Sequence, residues 1–422
     1  MTAGPVVEPR PAATVVLLRP GPAGLEALLT HRPSTMAFAG GAHVFPGGRV
    51  DPADADPGLA TRSTVSATAA ATALGGDLPP GAALAAFMAA IRESFEEVGV
   101  LLADTAASAT QIAAARSALL RGDATLPGIA EDLDLTLRTD LLVPLSRWVT
   151  PVPSPRRFDT RFFAAALPGD AVPSFEGGEV AAHEWLRPND ALAAMADGRI
   201  VLWVPTSSTL QQLAFATSLD EIREHLAPGP LGSIEVDQVA DDVTRIVMPA
   251  GGGVAAQPVC SYLVGRHRFV LVDPGDPTGA ALDRAIALAG ERGGSIAAIA
   301  LTHADPDHHG GAEALAWRLG IPILAGPGAG RAVPFDVREL ADMADVAETD
   351  VPVQAVLTPG PRPDHVAFVV GDGAVVISGD LDGERGARAI VGPVDAAALA
   401  ASRARLDDLH PAAPRLPGHP PV

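Results

Sequence analysis

The sequence predicts two consecutive α/β domains, each a sandwich of sheet and helices. The chain has 422 residues, which is longer than a domain with a single hydrophobic core usually is. Short apolar runs that favour strands alternate with stretches of helical periodicity in both halves. A Pro/Gly-rich segment at 226–233, after which the pattern changes, is the predicted linker. We therefore expect one domain over 1–228 and another over 234–422.

The elements follow from periodicity and from the turn residues between them. In the first half, the predicted strands are 12–18, 25–30, 141–149 and 161–167, and the predicted helices are 84–98, 108–121, 188–196 and 206–216. In the second half, strands are predicted at 243–248, 259–265, 268–273 and 296–301, with helices at 278–291 and from 310. Residues 52–82, biased toward Ala, Thr, Asp, Gly and Pro, are expected to form a surface insertion.

Composition excludes several classes of protein. A hydrophobic content of 48% excludes a disordered chain, and a formal net charge of −20 disfavours a nucleic-acid binder, because the protein would repel the phosphate backbone. The single cysteine, Cys260, permits no internal disulfide. With no signal-peptide pattern and no membrane-length apolar run, we expect a cytoplasmic protein without a membrane partner. All 30 basic residues are arginine, which with abundant Ala, Gly and Pro is typical of a GC-rich bacterial genome.

Three glutamates stand close together on the predicted helix 84–98. Glu93, Glu96 and Glu97 have i, i+3 and i+4 spacing, so they share a face opposite an apolar stripe. Like charges at this spacing repel, and a divalent cation would relieve the repulsion. Carboxylate oxygens suit Mg²⁺ or Mn²⁺, which also bind phosphate. The alternative interpretation is a solvated acidic face.

The segment from Arg92 to Val100, together with Phe45-Pro46-Gly47-Gly48, resembles the nudix box. Ser94 replaces an aliphatic residue of that motif, and a long insertion precedes Arg92, with Asp54 as the counterpart of the motif's first glutamate. This inserted form is similar to the coenzyme A diphosphatase subgroup, and the resemblance covers roughly residues 10–225.

The resemblance implies a nudix α/β/α sandwich, commonly a homodimer, that cleaves diphosphate bonds of nucleoside diphosphate derivatives. Glu93, Glu96 and Glu97 would hold Mg²⁺ or Mn²⁺. Arg92 would orient a glutamate, while Gly47 and Gly48 would let the backbone approach the helix closely. Three arginines are candidates for phosphate contact or, alternatively, members of a surface ion-pair cluster: Arg156, Arg157 and Arg161.

A second constellation follows the predicted strand 296–301. The loop carries His303, Asp305, Asp307 and His308 before the next helix. Imidazole ligands suit zinc or iron better than Mg²⁺. The loop resembles the metallo-β-lactamase signature, and the resemblance, which covers about 235–422, implies an αβ/βα sandwich.

The second metal motif departs from its family at two positions. Asp305 replaces a histidine, and Pro361 stands where another metal-binding histidine is expected. The resemblance then implies one broken position, with His303, Asp305 and Asp380, and one complete position, with Asp307, His308, Asp380 and His419. A domain holding one Zn²⁺ or Fe ion and a metal-free domain both remain open, and a dinuclear hydrolase is disfavoured.

The leading functional hypothesis is a nudix pyrophosphatase acting on a small nucleotide, with CoA or acyl-CoA favoured over ADP-ribose, NADH and nucleotide sugars. The first alternative is that the second domain carries the main activity as a single-metal hydrolase of a thioester, lactone or phosphoester. The other alternative is that the second domain is a non-catalytic scaffold or binding module.

Overall fold

The computed structural model describes residues 7–33, 40–151, 154–169, 171–175, 182–214, 216–225, 234–248, 258–276, 279–333, 335–382 and 395–420. The chain separates into two compact units, Met1–Pro230 and Leu231–Val422. The predicted linker, 226–233, lies outside the described residues.

The first unit combines nine strands with eight helices among its described residues. The strands are β1 (Arg10–Gly21), β2 (Gly24–His31), β3 (His43–Val44), β4 (Gly47–Arg49), β5 (Ala103–Asp104), β6 (Thr136–Leu137), β7 (Val143–Val149), β8 (Phe158–Ala166) and β9 (Ala182–Leu186). The helices are α1 (Pro57–Arg62), α2 (Ala67–Ala73), α3 (Pro80–Val98), α4 (Ala109–Leu120), α5 (Leu126–Asp132), α6 (Pro188–Ala196), α7 (Val204–Leu213) and α8 (Leu219–His225). Short 3₁₀ helices occupy Pro52–Ala55 and Thr139–Leu141.

The main sheet of the first unit has the order β3-β2-β1-β8-β7, with β4 added on β1 and β9 on β2. β1 runs parallel to β8 and antiparallel to β2 and β4. Helix α3 packs against β1 and β4, while α6 contacts β2 and α7 contacts β7. The predicted α/β sandwich is confirmed here, and the sheet places β4 directly beside the glutamate helix.

The stretch 52–82, expected to form a surface insertion, is mostly exposed but is anchored in the core of the first unit. It is largely helical, and Leu59, Ala70 and Leu74 are almost completely buried in the same core as α3. Its alanines gave no clear hydrophobic periodicity, because small side chains can lie in a tightly packed core as readily as on a surface. The stretch therefore lies largely at the surface, as expected, while a few of its side chains anchor it in the core.

The second unit contains twelve strands and four helices in its described part. The strands are β10 (Glu235–Ala240), β11 (Val243–Met248), β12 (Val259–Val264), β13 (Arg268–Val272), β14 (Ser295–Ala300), β15 (Ile323–Ala325), β16 (Arg338–Glu339), β17 (Ala344–Asp345), β18 (Val353–Leu357), β19 (Val366–Val370), β20 (Val375–Gly379) and β21 (Arg415–Pro417). The helices are α9 (Ala280–Glu291), α10 (Pro306–His309), α11 (Ala312–Leu319) and α12 (Ala396–Leu409), and a 3₁₀ helix spans Ala329–Arg331.

Two sheets form the centre of this unit, with orders β10-β11-β12-β13-β14-β15-β16 and β17-β18-β19-β20-β21. Side chains from both sheets, such as Val270 and Phe368, share one core. Residues of α9 and α11 share a second core with the other face of the first sheet. Leu406 of α12 packs on the outer face of the second sheet. This layering confirms the predicted αβ/βα sandwich.

Candidate functional sites

Helix α3 is buried on nearly every side. All residues from Ala83 to Phe95 are buried, including Arg92 and Glu93, which are 6% and 8% exposed. The alternative of a solvated acidic face is therefore wrong for Glu93, while Glu96 and Glu97 are half-buried. Ser94 fits this burial, because its hydroxyl donates to the Val100 carbonyl at 2.9 Å. The helix ends at Gly99, which adopts a left-handed φ of 70°.

Arg92 is the centre of a buried carboxylate cluster. Its Nε and Nη2 donate to the two oxygens of Asp54, at 2.9 and 3.1 Å. Its Nη1 donates to both Glu93 and Glu96, each at 2.8 Å, and its Nη2 also donates to the Arg49 carbonyl at 2.7 Å. One guanidinium thus fixes three carboxylates and the end of β4.

The cluster carries more negative charge than Arg92 alone can neutralise. Burial is the main cause that raises the pKa of Glu93 to about 7, with Arg92 opposing it and Glu96 reinforcing it. Burial also raises the pKa values of Glu96 and Asp54, again against Arg92. A divalent cation would relieve this desolvation cost, so the carboxylate chemistry fits Mg²⁺ or Mn²⁺.

The two glycines of β4 allow the backbone to meet α3. A Cβ on Gly48 would lie 2.3 Å from Glu93 Oε1, and a Cβ on Gly47 would lie 2.5 Å from the Ala13 carbonyl. The Gly47 amide donates to Glu97 Oε2 at 3.3 Å. No side chain could replace hydrogen at Gly48 without displacing the glutamate.

The three candidate phosphate-binding arginines lie in different surroundings. Arg161 is 4% exposed, pairs with Asp77 and donates to the Leu74 carbonyl at 3.3 Å, so its predicted contact with phosphate is wrong. Arg157 is also buried, and it donates to the carbonyls of Thr150 and Val7 at 2.8 Å each. Arg156 is exposed.

In the second unit, the loop after β14 brings the predicted histidines together. His308 is fully buried, and its Nδ1 lies 2.9 Å from Asp273 Oδ2. In the neutral ring that binds a metal, this contact would keep the proton on Nδ1 and leave the Nε2 lone pair to the ion. His419 is arranged in the same way, with Nδ1 3.0 Å from the Pro258 carbonyl.

Asp380 lies between the two predicted metal positions. Its Oδ1 is 3.4 Å from His308 Nε2 and 3.5 Å from His419 Nε2, and its Oδ2 is 3.8 Å from His303 Nε2. Asp307 completes one side, with Oδ2 3.5 Å from His419 Nε2. The sets His303–His308–Asp380 and Asp307–His308–His419 each have ligand atoms within 4.8 Å of one another.

Where Asp305 replaces a family histidine, the structure has a contact between a carboxylate and an arginine. Asp305 is 4% exposed, and its Oδ1 lies 2.7 Å from the Arg362 Nε, although the alignment is not that of a hydrogen bond. Its Oδ2 is 3.5 Å from His303 Nε2. A guanidinium therefore sits against the position where Asp305 and Pro361 break the family pattern.

Three further residues were missed as members of the site. Asp273, which has a left-handed φ of 50°, accepts from Thr302 as well as from His308. His365 is buried and stacks on His303 with ring centroids 5.4 Å apart. Arg362 and His365 lie on the loop between β18 and β19, so only the tertiary fold brings them beside β14.

Electrostatics favour a cation at the histidine cluster. Burial opposes protonation of His308, but Asp380 and Asp273 outweigh it and raise its pKa well above the ordinary value. The pKa of Asp380 is lowered, because His308 and His303 outweigh burial. The Nε2 atoms of His303 and His308 are buried without a hydrogen-bond partner in the described structure. These imidazole and carboxylate donors fit a transition-metal ion.

Comparison with known proteins finds a family match within each unit. Residues 60–213 match the family described as the NUDT19 Nudix domain, and residues 254–419 match the metallo-beta-lactamase superfamily. The first unit is thus similar to nudix domains, and the second is similar to metallo-β-lactamase domains. Within the nudix proteins, the matched family is the NUDT19 one, which agrees with the predicted subgroup.

Individual relatives match one unit or the other. The chain is 29% identical over 271 residues to the human acyl-coenzyme A diphosphatase NUDT19, covering 54% of this chain and 70% of that protein. It is 27% identical over 175 residues to lactamase-like protein GME11357 of Pestalotiopsis microspora, covering 41% of this chain and about half, 53%, of that relative. A nudix hydrolase structure from Alicyclobacillus acidocaldarius aligns with 28% identity and a TM-score of 0.41, covering 53% of this chain and 99% of that one.

Proposed function

We propose that the first unit hydrolyses the diphosphate bond of a nucleoside diphosphate derivative, with CoA or acyl-CoA as the favoured substrate. The buried cluster of Asp54, Arg92, Glu93 and Glu96 carries this proposal. The NUDT19 family match and the acyl-coenzyme A diphosphatase relatives favour a CoA-type substrate.

The residues of the cluster have different roles in the proposed reaction. Glu93, Glu96 and Glu97 would hold Mg²⁺ or Mn²⁺, and such an ion would neutralise phosphate oxygens and lower the pKa of a bound water. Arg92 holds Glu93 and Glu96 in place through a shared nitrogen. One carboxylate of the cluster accepts the proton of the water that attacks phosphorus.

The proposal is tested with a panel of CoA, acyl-CoA, ADP-ribose, NADH and nucleotide sugars in Mg²⁺ or Mn²⁺. The variant Glu96→Gln/Glu97→Gln should lose diphosphate cleavage by about a hundredfold or more, because it removes two of the carboxylates at the metal position. Glu131→Gln, an exposed glutamate on α5, is the matched control and should retain full activity. Absence of turnover by the wild type on every member of the panel would rule out the proposed reaction.

A second activity is favoured by the donors of the second unit. Asp307, His308, Asp380 and His419 converge around two imidazole Nε2 atoms, an arrangement suited to one Zn²⁺ or Fe ion. At the other position, the charge of Arg362 beside Asp305 disfavours a second cation. We infer a single-metal hydrolase, for a thioester, lactone or phosphoester, or else a binding module built on the same fold.

Metal analysis separates these alternatives. We expect about one equivalent of zinc or iron per chain, and His308→Ala should abolish it. His309→Ala, next along α10, is the control and should keep the metal. A metal content near zero in the wild type would favour the binding module.

We also propose a cellular location and an oligomeric state for the protein. None of the described helices is long and apolar enough to cross a membrane. The acidic charge and the single buried cysteine favour a bacterial cytoplasmic enzyme that acts on a free nucleotide, without nucleic-acid or membrane partners. A homodimer is expected from the nudix resemblance, and light scattering on the purified chain would determine its mass.

A further inference from the structure

A cavity lined by arginine lies beside the carboxylate cluster of the first unit. Its volume is about 480 Å³, which is within the range of small-ligand sites. Arg10, Arg49, Arg156 and Arg157 contribute to its wall, and Phe158 supplies an apolar surface. None of the described residues that line it is acidic.

Three of these guanidinium groups have no carboxylate to neutralise them. Within the described residues, no acidic group lies within 4 Å of Arg10, Arg49 or Arg156, whereas Arg92 and Arg161 of the same unit are both paired. The net charge of the chain is −20, so positive charge gathered at one cavity is a local exception. Such an exception favours an anionic ligand.

The backbone of this cavity is fixed. The Arg10 amide donates to the Arg157 carbonyl at 2.9 Å, and Arg157 donates to the carbonyls of Thr150 and Val7. Arg49 ends β4, which pairs with β1 through Ala12. Arg10 and Arg49 are therefore held at the ends of paired strands, while Arg156 and Arg157 lie in the bend before β8.

Arg49 links the cavity to the carboxylate cluster. Its side chain lines the cavity, and its carbonyl accepts from Arg92 Nη2 at 2.7 Å. A ligand with its diphosphate at Glu93 and Glu96 could therefore place a second anionic group among the arginines. That group must be separate from the scissile diphosphate and carried by the same nucleotide.

We propose that this cavity binds a phosphate monoester on the ribose of the substrate, so that the enzyme selects 3′-phosphorylated nucleoside diphosphates such as CoA over those that lack this group. The inference rests on the proposed diphosphatase function. ADP-ribose, NADH and dephospho-CoA have the diphosphate but not the monoester, so the cavity would discriminate against them. Arginine suits this task because its planar donors match phosphate oxygens.

Cleavage of CoA and dephospho-CoA by the full chain tests the proposal. The wild type should prefer CoA by about tenfold or more in kcat/KM, because charge-assisted hydrogen bonds to the monoester are lost with dephospho-CoA. Arg49→Ala/Arg156→Ala should reduce this ratio by about tenfold. Arg121→Ala, an exposed arginine paired with Asp123, is the matched control and should leave the ratio unchanged.

Equal cleavage of CoA and dephospho-CoA by the wild type, or an unchanged ratio in the double variant, would overturn the inference while leaving the diphosphatase function intact. If neither compound is cleaved, the proposed function fails, and calorimetry with adenosine 3′-monophosphate still tests the cavity. Binding that is lost in the double variant would support the cavity as a monoester site. Binding that is equal in the two proteins, or absent from the wild type, would overturn it.

Discussion

At the scale of single residues, each of the two candidate sites contains an arginine beside a buried carboxylate, but the two contacts differ in geometry. Arg92 makes five aligned hydrogen bonds to Asp54, Glu93, Glu96 and the Arg49 carbonyl. Arg362 approaches Asp305 at 2.7 Å without such alignment. Arg92 therefore organises its site, whereas Arg362 mainly compensates a charge that would otherwise be buried alone.

Replacement of Arg362 should show how much it stabilises the buried carboxylate of Asp305. Arg362→Leu leaves Asp305 buried without a nearby cation other than the histidines, and we expect a loss of about 3 kcal/mol in the free energy of unfolding. Arg284→Leu breaks an exposed pair with Glu291 and should cost less than about 1 kcal/mol, because water screens that pair. Urea unfolding of the two variants measures the difference. Equal, small losses would show that Asp305 does not depend on Arg362.

Residue patterns predicted some members of the two sites better than others. Glu93, Glu96 and the histidine loop were identifiable because their neighbours in the site are also neighbours in sequence. Arg362 and His365 come from a loop that is distant in sequence, so no local spacing of residues indicates that they belong to the site. Arg161 was misassigned because a sequence does not show that Asp77, more than eighty positions earlier, neutralises it.

At the scale of elements, the close approach of β4 to α3 is the feature on which the first site depends. Gly48→Ala would place a methyl group 2.3 Å from Glu93 Oε1, so the glutamate must move. We expect diphosphate cleavage to fall by about a hundredfold, since a displacement of about 1 Å at a reacting centre costs roughly that much.

A glycine-to-alanine change on helix α3 is the control for Gly48→Ala. Gly81 lies in the first turn of α3, and a Cβ there meets nothing within 4 Å. Gly81→Ala should retain activity and raise the free energy of unfolding by about 0.5–1 kcal/mol, because alanine restricts the unfolded chain. Full activity in Gly48→Ala would show that Glu93 is not fixed by β4.

The contact between β2 and β3 should make stability depend on pH. The rings of His31 and His43 are 4.8 Å apart, and burial followed by repulsion from His31 lowers the pKa of His43, against Glu184. The unfolded chain then binds a proton at His43 more readily than the folded one, so stability is lost as the pH falls below about 6.5.

Replacement of His43 tests this dependence. His43→Gln should reduce the decrease in Tm between pH 7 and pH 5, because glutamine cannot take up a proton. His267→Gln, an exposed histidine of the other unit, is the control and should leave the decrease as it is in the wild type. An identical pH profile in the wild type and His43→Gln would contradict the assignment.

Most helices and strands were predictable from the sequence, and helices α1 and α2 are the exception. Helix α6 and strand β11 begin and end at the predicted residues, because apolar periodicity and turn residues mark them clearly. Helices α1 and α2 were not predicted, since runs of alanine and threonine carry little periodic contrast. Helix α2 packs against α3, and Leu59 of α1 is buried in the same core; the local sequence does not contain this information.

At the scale of the whole molecule, the chain joins two units that each have a complete core of their own. Every candidate ligand of the nudix site lies in the first unit, and every candidate ligand of the histidine site lies in the second. Neither site needs a residue from the other unit for its assembly. We therefore expect each unit to keep its own activity or metal when the chain is divided between the two units.

Expression of 1–228 and 234–422 as separate fragments tests this division. Each should unfold cooperatively at a Tm within a few degrees of its own transition in the full chain, because a domain with its own core can fold alone. Fragment 1–228 should keep diphosphate cleavage, and fragment 234–422 should keep the metal. If either fragment is unfolded by calorimetry while the full chain is folded, the units stabilise one another, and the fusion contributes to folding as well as to function.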